Sequence, residues 1–169
     1  MLLPLQQKKL THLFKIFDFD HNGLIQESDI TGIAENISIF RGILNDSDED
    51  KYLIEKSHQF WDSLKVYLKN PDLDFCSLEQ WLDFIHDKLF HRDESVVDHY
   101  IEMLVNDVLF IFDKDKDLLI SKLEFICLFI SFRVEIRYAN EVFGKLDLNG
   151  DKFVSRDELL IAFNDFFKS

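Results

Sequence analysis

Residues 147–158 read D-L-N-G-D-K-F-V-S-R-D-E. Oxygen-bearing side chains stand at every second residue, Asp147, Asn149 and Asp151. A branched aliphatic, Val154, follows, and Glu158 closes the run eleven residues after the first aspartate. The same spacing occurs twice more. One copy runs Asp18, Asp20, Asn22, Gly23, Ile25 and Asp29; the other runs Asp113, Asp115, Asp117, Ile120 and Glu124. Carboxylates crowded at this interval repel one another unless a cation sits among them, which is the reason to read the three stretches as ion loops.

The spacing is that of the twelve-residue EF-hand loop, in which positions one, three and five offer side-chain oxygens. Position seven offers a backbone carbonyl, position nine often acts through water, and position twelve offers a carboxylate. The candidate ligands are therefore Asp18, Asp20, Asn22, the Leu24 carbonyl and Asp29 in the first loop. They are Asp113, Asp115, Asp117, the Leu119 carbonyl and Glu124 in the next, with Ser121 at the water-linked position. In the last they are Asp147, Asn149, Asp151, the Phe153 carbonyl and Glu158, with Ser155 water-linked. Two to three calcium ions are expected. Position twelve of the first loop is Asp29, one methylene shorter than glutamate, so a monodentate grip and a magnesium or mixed site are expected there. Position six usually needs glycine for positive φ. Gly23 meets that need, while Leu118 and Lys152 stand in its place in the other two loops, at a cost of roughly 1–2 kcal/mol each. The competing reading of each loop is a solvated acidic turn that holds no ion.

The apolar period around the loops is helical. Leu10, Leu13, Phe14 and Phe17 lead into the first loop, and Ile30, Ile33, Ala34 and Ile37 leave it. Ile101, Leu104, Val105, Val108, Leu109 and Phe112 lead into Asp113, and Phe125, Leu128 and Phe129 follow. Tyr138, Val142, Phe143 and Leu146 precede Asp147, and Leu159, Phe163 and Phe166 come after its loop. A fourth copy in the middle keeps the length without the ligands. Trp61, Leu64 and Leu68 enter it, and Trp81, Phe84 and Ile85 leave it. Its ligand positions are filled by Lys69, Pro71, Leu73 and Gln80, so it is expected to bind nothing.

A single hand leaves an apolar face uncovered, so hands pair through a short strand at position eight. Ile25 should pair with Cys76, and Ile120 with Val154. The fold expected is all-α, with four helix–loop–helix units in two pairs, residues 1–90 and 91–169, packed as one compact body with two-stranded loop–loop pairing. The acidic stretch Asn45 to Lys51 reads as a connecting loop, and no Pro/Gly/Ser linker separates the halves.

The net charge of -13 argues against nucleic acid and anionic membrane as partners. Three divalent ions would leave about -7, so much of the charge reads as stored ion affinity. No stretch approaches the length of a membrane span. The two cysteines, Cys76 and Cys127, sit among apolar residues and suggest a reducing, cytoplasmic setting. His12, His21, His58, His86, His91 and His99 are scattered without zinc-ligand spacing and read as surface or helix-end residues. No general base stands beside the loops, so no enzyme is expected.

The F-D-F-D-H-N-G run with Asp29 at its end, the degenerate second hand before Trp81, and the closely spaced final pair ending L-D-L-N-G-D-K-F-V-S-R-D-E-L-L resemble the sarcoplasmic calcium-binding protein and calerythrin family. The likeness covers nearly the whole chain. It implies four hands in one globule, a second hand that binds nothing, and a monomeric calcium buffer or signal modulator. Sensors open a methionine-rich groove on loading. This chain has 2 methionines and 18 phenylalanines, which favours the buffer. A calcium-triggered sensor with a target protein is the alternative. A photoprotein-like relative with an internal cavity is the third reading, in which Trp61 and Trp81 would line the cavity instead of filling it.

Overall fold

The computed structural model describes residues 2–89 and 93–168, the side chain of residue 89 excepted. The expected division at residue 90 and the expectation for His91 lie outside the described residues. Eight α-helices are present among the described residues: α1 Pro4–Phe17, α2 Glu27–Arg41, α3 Asp48–Leu68, α4 Leu78–Leu89, α5 Glu94–Phe112, α6 Lys122–Ser131, α7 Ala139–Leu146 and α8 Arg156–Lys168. Strands β1 Leu119–Ser121 and β2 Phe153–Ser155 pair antiparallel, with Ile120 opposite Val154. Ile25 and Cys76 form an isolated antiparallel bridge. Both loop–loop pairings are those the position-eight rule gives.

The loops begin and end on helix caps. Asp18, Asp113 and Asp147 each cap the C-terminus of the entering helix, their N–H groups bonded to the carbonyls of Phe14, Leu109 and Phe143. Positions nine and twelve form a capping box at the exit. Ser121 with Glu124 and Ser155 with Glu158 do this in the last two loops. Ser77 with Gln80 does it in the degenerate one, where Gln80 Oε1 accepts from Ser77 N–H at 2.8 Å. Gln80 thus preserves the helix start without carrying a charge for an ion.

One expectation is corrected. Asn45 to Lys51 is not loop throughout: Ser47 is the N-cap of α3, its Oγ accepting from Asp50 N–H at 3.2 Å. Asp48, Glu49 and Asp50 form the first turn, where the helix dipole favours negative charge.

Two buried clusters make the core. One gathers Leu10, Phe14, Trp61, Leu64, Trp81 and Phe84 with Ile101 of α5 and Phe167 of α8. The other gathers Ile33, Ile37 and Leu53 with Val105, Phe112, Phe125, Phe129 and Phe143. Each draws on helices from both ends of the chain, and Phe17, Leu160 and Phe163 pack against both. Trp61 and Trp81 are each 1% exposed, and Phe17 stacks on Phe60 with ring centres 5.3 Å apart. Trp81 Nε1 donates to the Leu10 carbonyl at 3.1 Å, so the indole is fixed by its polar atom as well as by packing.

Candidate metal centres

The three acidic loops share one hydrogen-bond frame. The position-one carboxylate accepts from the position-six N–H: Gly23 to Asp18 Oδ2 at 2.9 Å, Leu118 to Asp113 Oδ2 at 2.9 Å and Lys152 to Asp147 Oδ2 at 3.0 Å. The position-five side chain accepts from the position-seven N–H, at 2.9 Å in each of Leu24 to Asn22, Leu119 to Asp117 and Phe153 to Asp151. The position-twelve carboxylate spans the loop. Asp29 accepts from Phe19, Asp20 and Gln26, Glu124 from Lys114 and Ser121, and Glu158 from Leu148, Asn149 and Ser155. Backbone N–H groups thereby fix one oxygen of each position-one carboxylate; the other accepts from Lys116 and Asp117 N–H at Asp113 and from Gly150 N–H at Asp147.

At Asp18 the second oxygen has no such donor. The side chain is 5% exposed, and Oδ1 is buried with no hydrogen-bond partner. A buried orphan carboxylate oxygen is costly in an empty site and ordinary beside a cation. Among the described residues, Asp18, Asp20 and Asp29 bring carboxylate oxygens within 4.8 Å of one another, and Asp113, Asp115 and Glu124 do the same. Asp117 stands outside these two groups, and Asp147, Asp151 and Glu158 of the last loop form none, the Asn149 amide holding Asp151 Oδ2 at 2.9 Å. These donor sets are all oxygen, as a hard divalent cation requires.

The charges respond to the crowding. Partial desolvation, then the charges of Asp117, Glu124 and Asp113, push Asp115 above its ordinary value. Burial raises Asp29, against the opposing hydrogen bonds from Gln26, Asp20 and Phe19. Glu124 lies below its ordinary value: burial would raise it, but hydrogen bonds from Ser121 and Lys114 and the charge of Arg41 outweigh that. Backbone donation from Ser155 leads the lowering of Glu158.

The backbone shows a demand that glycine counting misses. Position four is left-handed as well as position six: His21, Lys116 and Gly150 have φ of 61°, 61° and 76°, and Gly23, Leu118 and Lys152 have 88°, 68° and 73°. The loop at Asp113 therefore holds two left-handed residues, neither of them glycine. His21, read as a surface residue, is exposed and also serves as the position-four turn of the first loop.

The degenerate loop departs from the frame at its start. Lys69 is itself left-handed, with φ of 52°, and Pro71 has no N–H to give. Asp72 and Asp74 lie in this loop but are in no carboxylate group among the described residues.

Paired helix–loop–helix units, loops joined at position eight and this shared frame define an EF-hand protein. Within that class the chain is similar to calerythrin of Saccharopolyspora erythraea, with 25% identity over 166 residues, 98% of this chain and 94% of calerythrin. Among solved structures it is similar to a Streptomyces coelicolor calcium-binding protein described in prokaryotic calcium-mediated regulation. That likeness has a TM-score of 0.73 and 23% identity, covering 96% of this chain and 97% of the other. The calcium-loaded apo form of the coelenterazine-binding protein of Renilla muelleri gives a TM-score of 0.70 and 22% identity, over 98% and 91% of the two chains. No protein-family model matches. None of the described helices is long and apolar enough to cross a membrane.

Proposed function

We propose that the chain is a calcium-binding protein that buffers calcium, or modulates its signal, as a monomer in the cytoplasm. Asp113, Asp115, Asp117, Glu124 and the Leu119 carbonyl would hold one calcium. Asp147, Asn149, Asp151, Glu158 and the Phe153 carbonyl would hold a second, and the β1–β2 pairing would join the two as one unit. Asp18, Asp20, Asn22, Asp29 and the Leu24 carbonyl would hold a third ion, magnesium or calcium. The observation that carries this reading is the buried, unpartnered Oδ1 of Asp18 within a frame repeated in the other two loops. The likeness to calerythrin along nearly the whole chain supports it.

The interior supports a buffer over a cavity-bearing relative. Trp61 and Trp81 are packed among Phe14, Phe17, Phe60 and Phe84, so the indoles occupy the centre. An open groove runs between α3 and α4, lined by Ser63, Val66, Tyr67 and Lys88, and a pocket of about 10 Å³ lies beside Leu53 and Phe110. A hydrophobic dye added to ion-free and calcium-loaded protein separates buffer from sensor. Equal fluorescence is expected, and a large rise on loading would assign the chain to the groove-opening sensors.

A further inference from the structure

Arg41 is half-buried, with two guanidinium nitrogens lacking partners. It ends α2, the helix that leaves the first loop. Its Nε and Nη1 are both buried, and neither has a hydrogen-bond partner. Guanidinium donors are strongly hydrated in the unfolded chain, so leaving two of them dry needs a compensating negative potential. The side chain lines the 10 Å³ pocket with Ile43, Glu49, Leu53, Phe110 and Ile111, which leaves room for one water at most. Glu49, the carboxylate at that pocket, is exposed.

The surroundings supply the potential from the loop at Asp113. Phe110 and Ile111 are in the last turn of α5, three and two residues before the first candidate ligand, Asp113. The α5 C-terminus is also the negative end of that helix's dipole. The helix that carries Arg41 packs along α6, whose first turn carries Glu124. Arg41 thus lies against the end of α5 that leads into this loop, on a helix that packs along α6.

We propose that Arg41 is a fixed counter-cation of the loop at Asp113: it offsets part of the four-carboxylate charge when the loop is empty and opposes the arriving divalent ion. The proposal rests on the reading of that loop as a cation site. The affinity of a site with four carboxylates is thereby held below what its ligand count implies, and the restraint comes from the first hand. The opposing account is that Arg41 packs only through its aliphatic stem, and then its charge has no influence on binding.

The test is calcium calorimetry on Arg41→Met, Arg41→Gln and Arg41→Lys. Either uncharged variant should bind calcium at the loop at Asp113 about three- to tenfold more tightly than the parent, and the lysine variant should stay within about twofold of it. Adding Glu124→Gln should abolish the gain. In the unaltered protein, the Arg41 Nε–H resonance should shift as that loop fills, which needs no variant to fold. Unchanged affinity in the uncharged variants, or an Nε–H signal indifferent to calcium, would overturn the proposal. If Glu124→Gln alone leaves the ion count unchanged, the failure belongs to the assignment of the loop and not to Arg41.

Discussion

Arg133 places its guanidinium carbon 3.7 Å from the centre of the Phe19 ring and donates from Nη1 to the Phe19 carbonyl at 3.2 Å. Phe19 is the second residue of the first acidic loop, and its ring is buried with Ile33, Phe125 and Phe129. Arg133 sits between α6 and α7, in the connection between the last two hands. The first loop is therefore clamped by the C-terminal half of the chain: Arg133 takes its carbonyl while Asp29 takes its N–H.

Removing that clamp should destabilise the whole fold. Arg133→Ala is expected to cost about 1–2 kcal/mol in denaturant unfolding, from the lost ring contact and hydrogen bond. Arg133→Lys should recover less than half of it, since an ammonium has no plane to stack. Equal stability of all three proteins would show the contact to be incidental.

Leu118 offers a gain instead of a loss. It is 69% exposed and left-handed, so glycine there relieves backbone strain while giving up little packing. The relief of roughly 1–2 kcal/mol exceeds the roughly 0.5–1 kcal/mol of chain entropy that glycine adds to the unfolded state. Leu118→Gly should therefore raise stability by about 0.5–1 kcal/mol and tighten calcium binding at that loop by a few fold. Thermal unfolding and calorimetry check the two effects separately.

The three loops and the Ile25–Cys76 and Ile120–Val154 pairings were legible because each follows from spacing within the twelve-residue loops. The S-D-E-D run at Ser47 carried a cap signal, masked by its acidity. Arg133 and Arg41 were not legible. Each acts on a loop far from it in sequence, and a lone arginine between helices has no period to betray it.

Acid should separate the position-twelve glutamates from the rest. Glu124 and Glu158 lie below their ordinary value of 4.5 in the folded chain. Their contribution is complete above that value and is lost as pH falls through the depressed folded value. Ion-free protein should lose stability below about pH 4.5 more steeply than the Glu124→Gln, Glu158→Gln double variant. Parallel curves would assign the acid loss to other groups.

Asp29 should set ion choice in the first loop. Both of its oxygens are already engaged by backbone N–H groups of Phe19, Asp20 and Gln26. A longer side chain at this position would reach further toward the orphan Oδ1 of Asp18. Asp29→Glu should raise calcium affinity there by about tenfold and weaken the preference for magnesium. Competition titrations that leave both ions bound as in the parent would remove position twelve as the cause.

The most direct test of the account is calcium calorimetry on the parent and on the Glu124→Gln, Glu158→Gln double variant, with and without millimolar magnesium. The parent should take up calcium at the paired loops around Asp113 and Asp147 in either condition, with a further equivalent at Asp18 suppressed by magnesium. The double variant should lose the paired equivalents and keep the magnesium-sensitive one. Equal calcium stoichiometry in the two proteins would contradict the assignment of these loops.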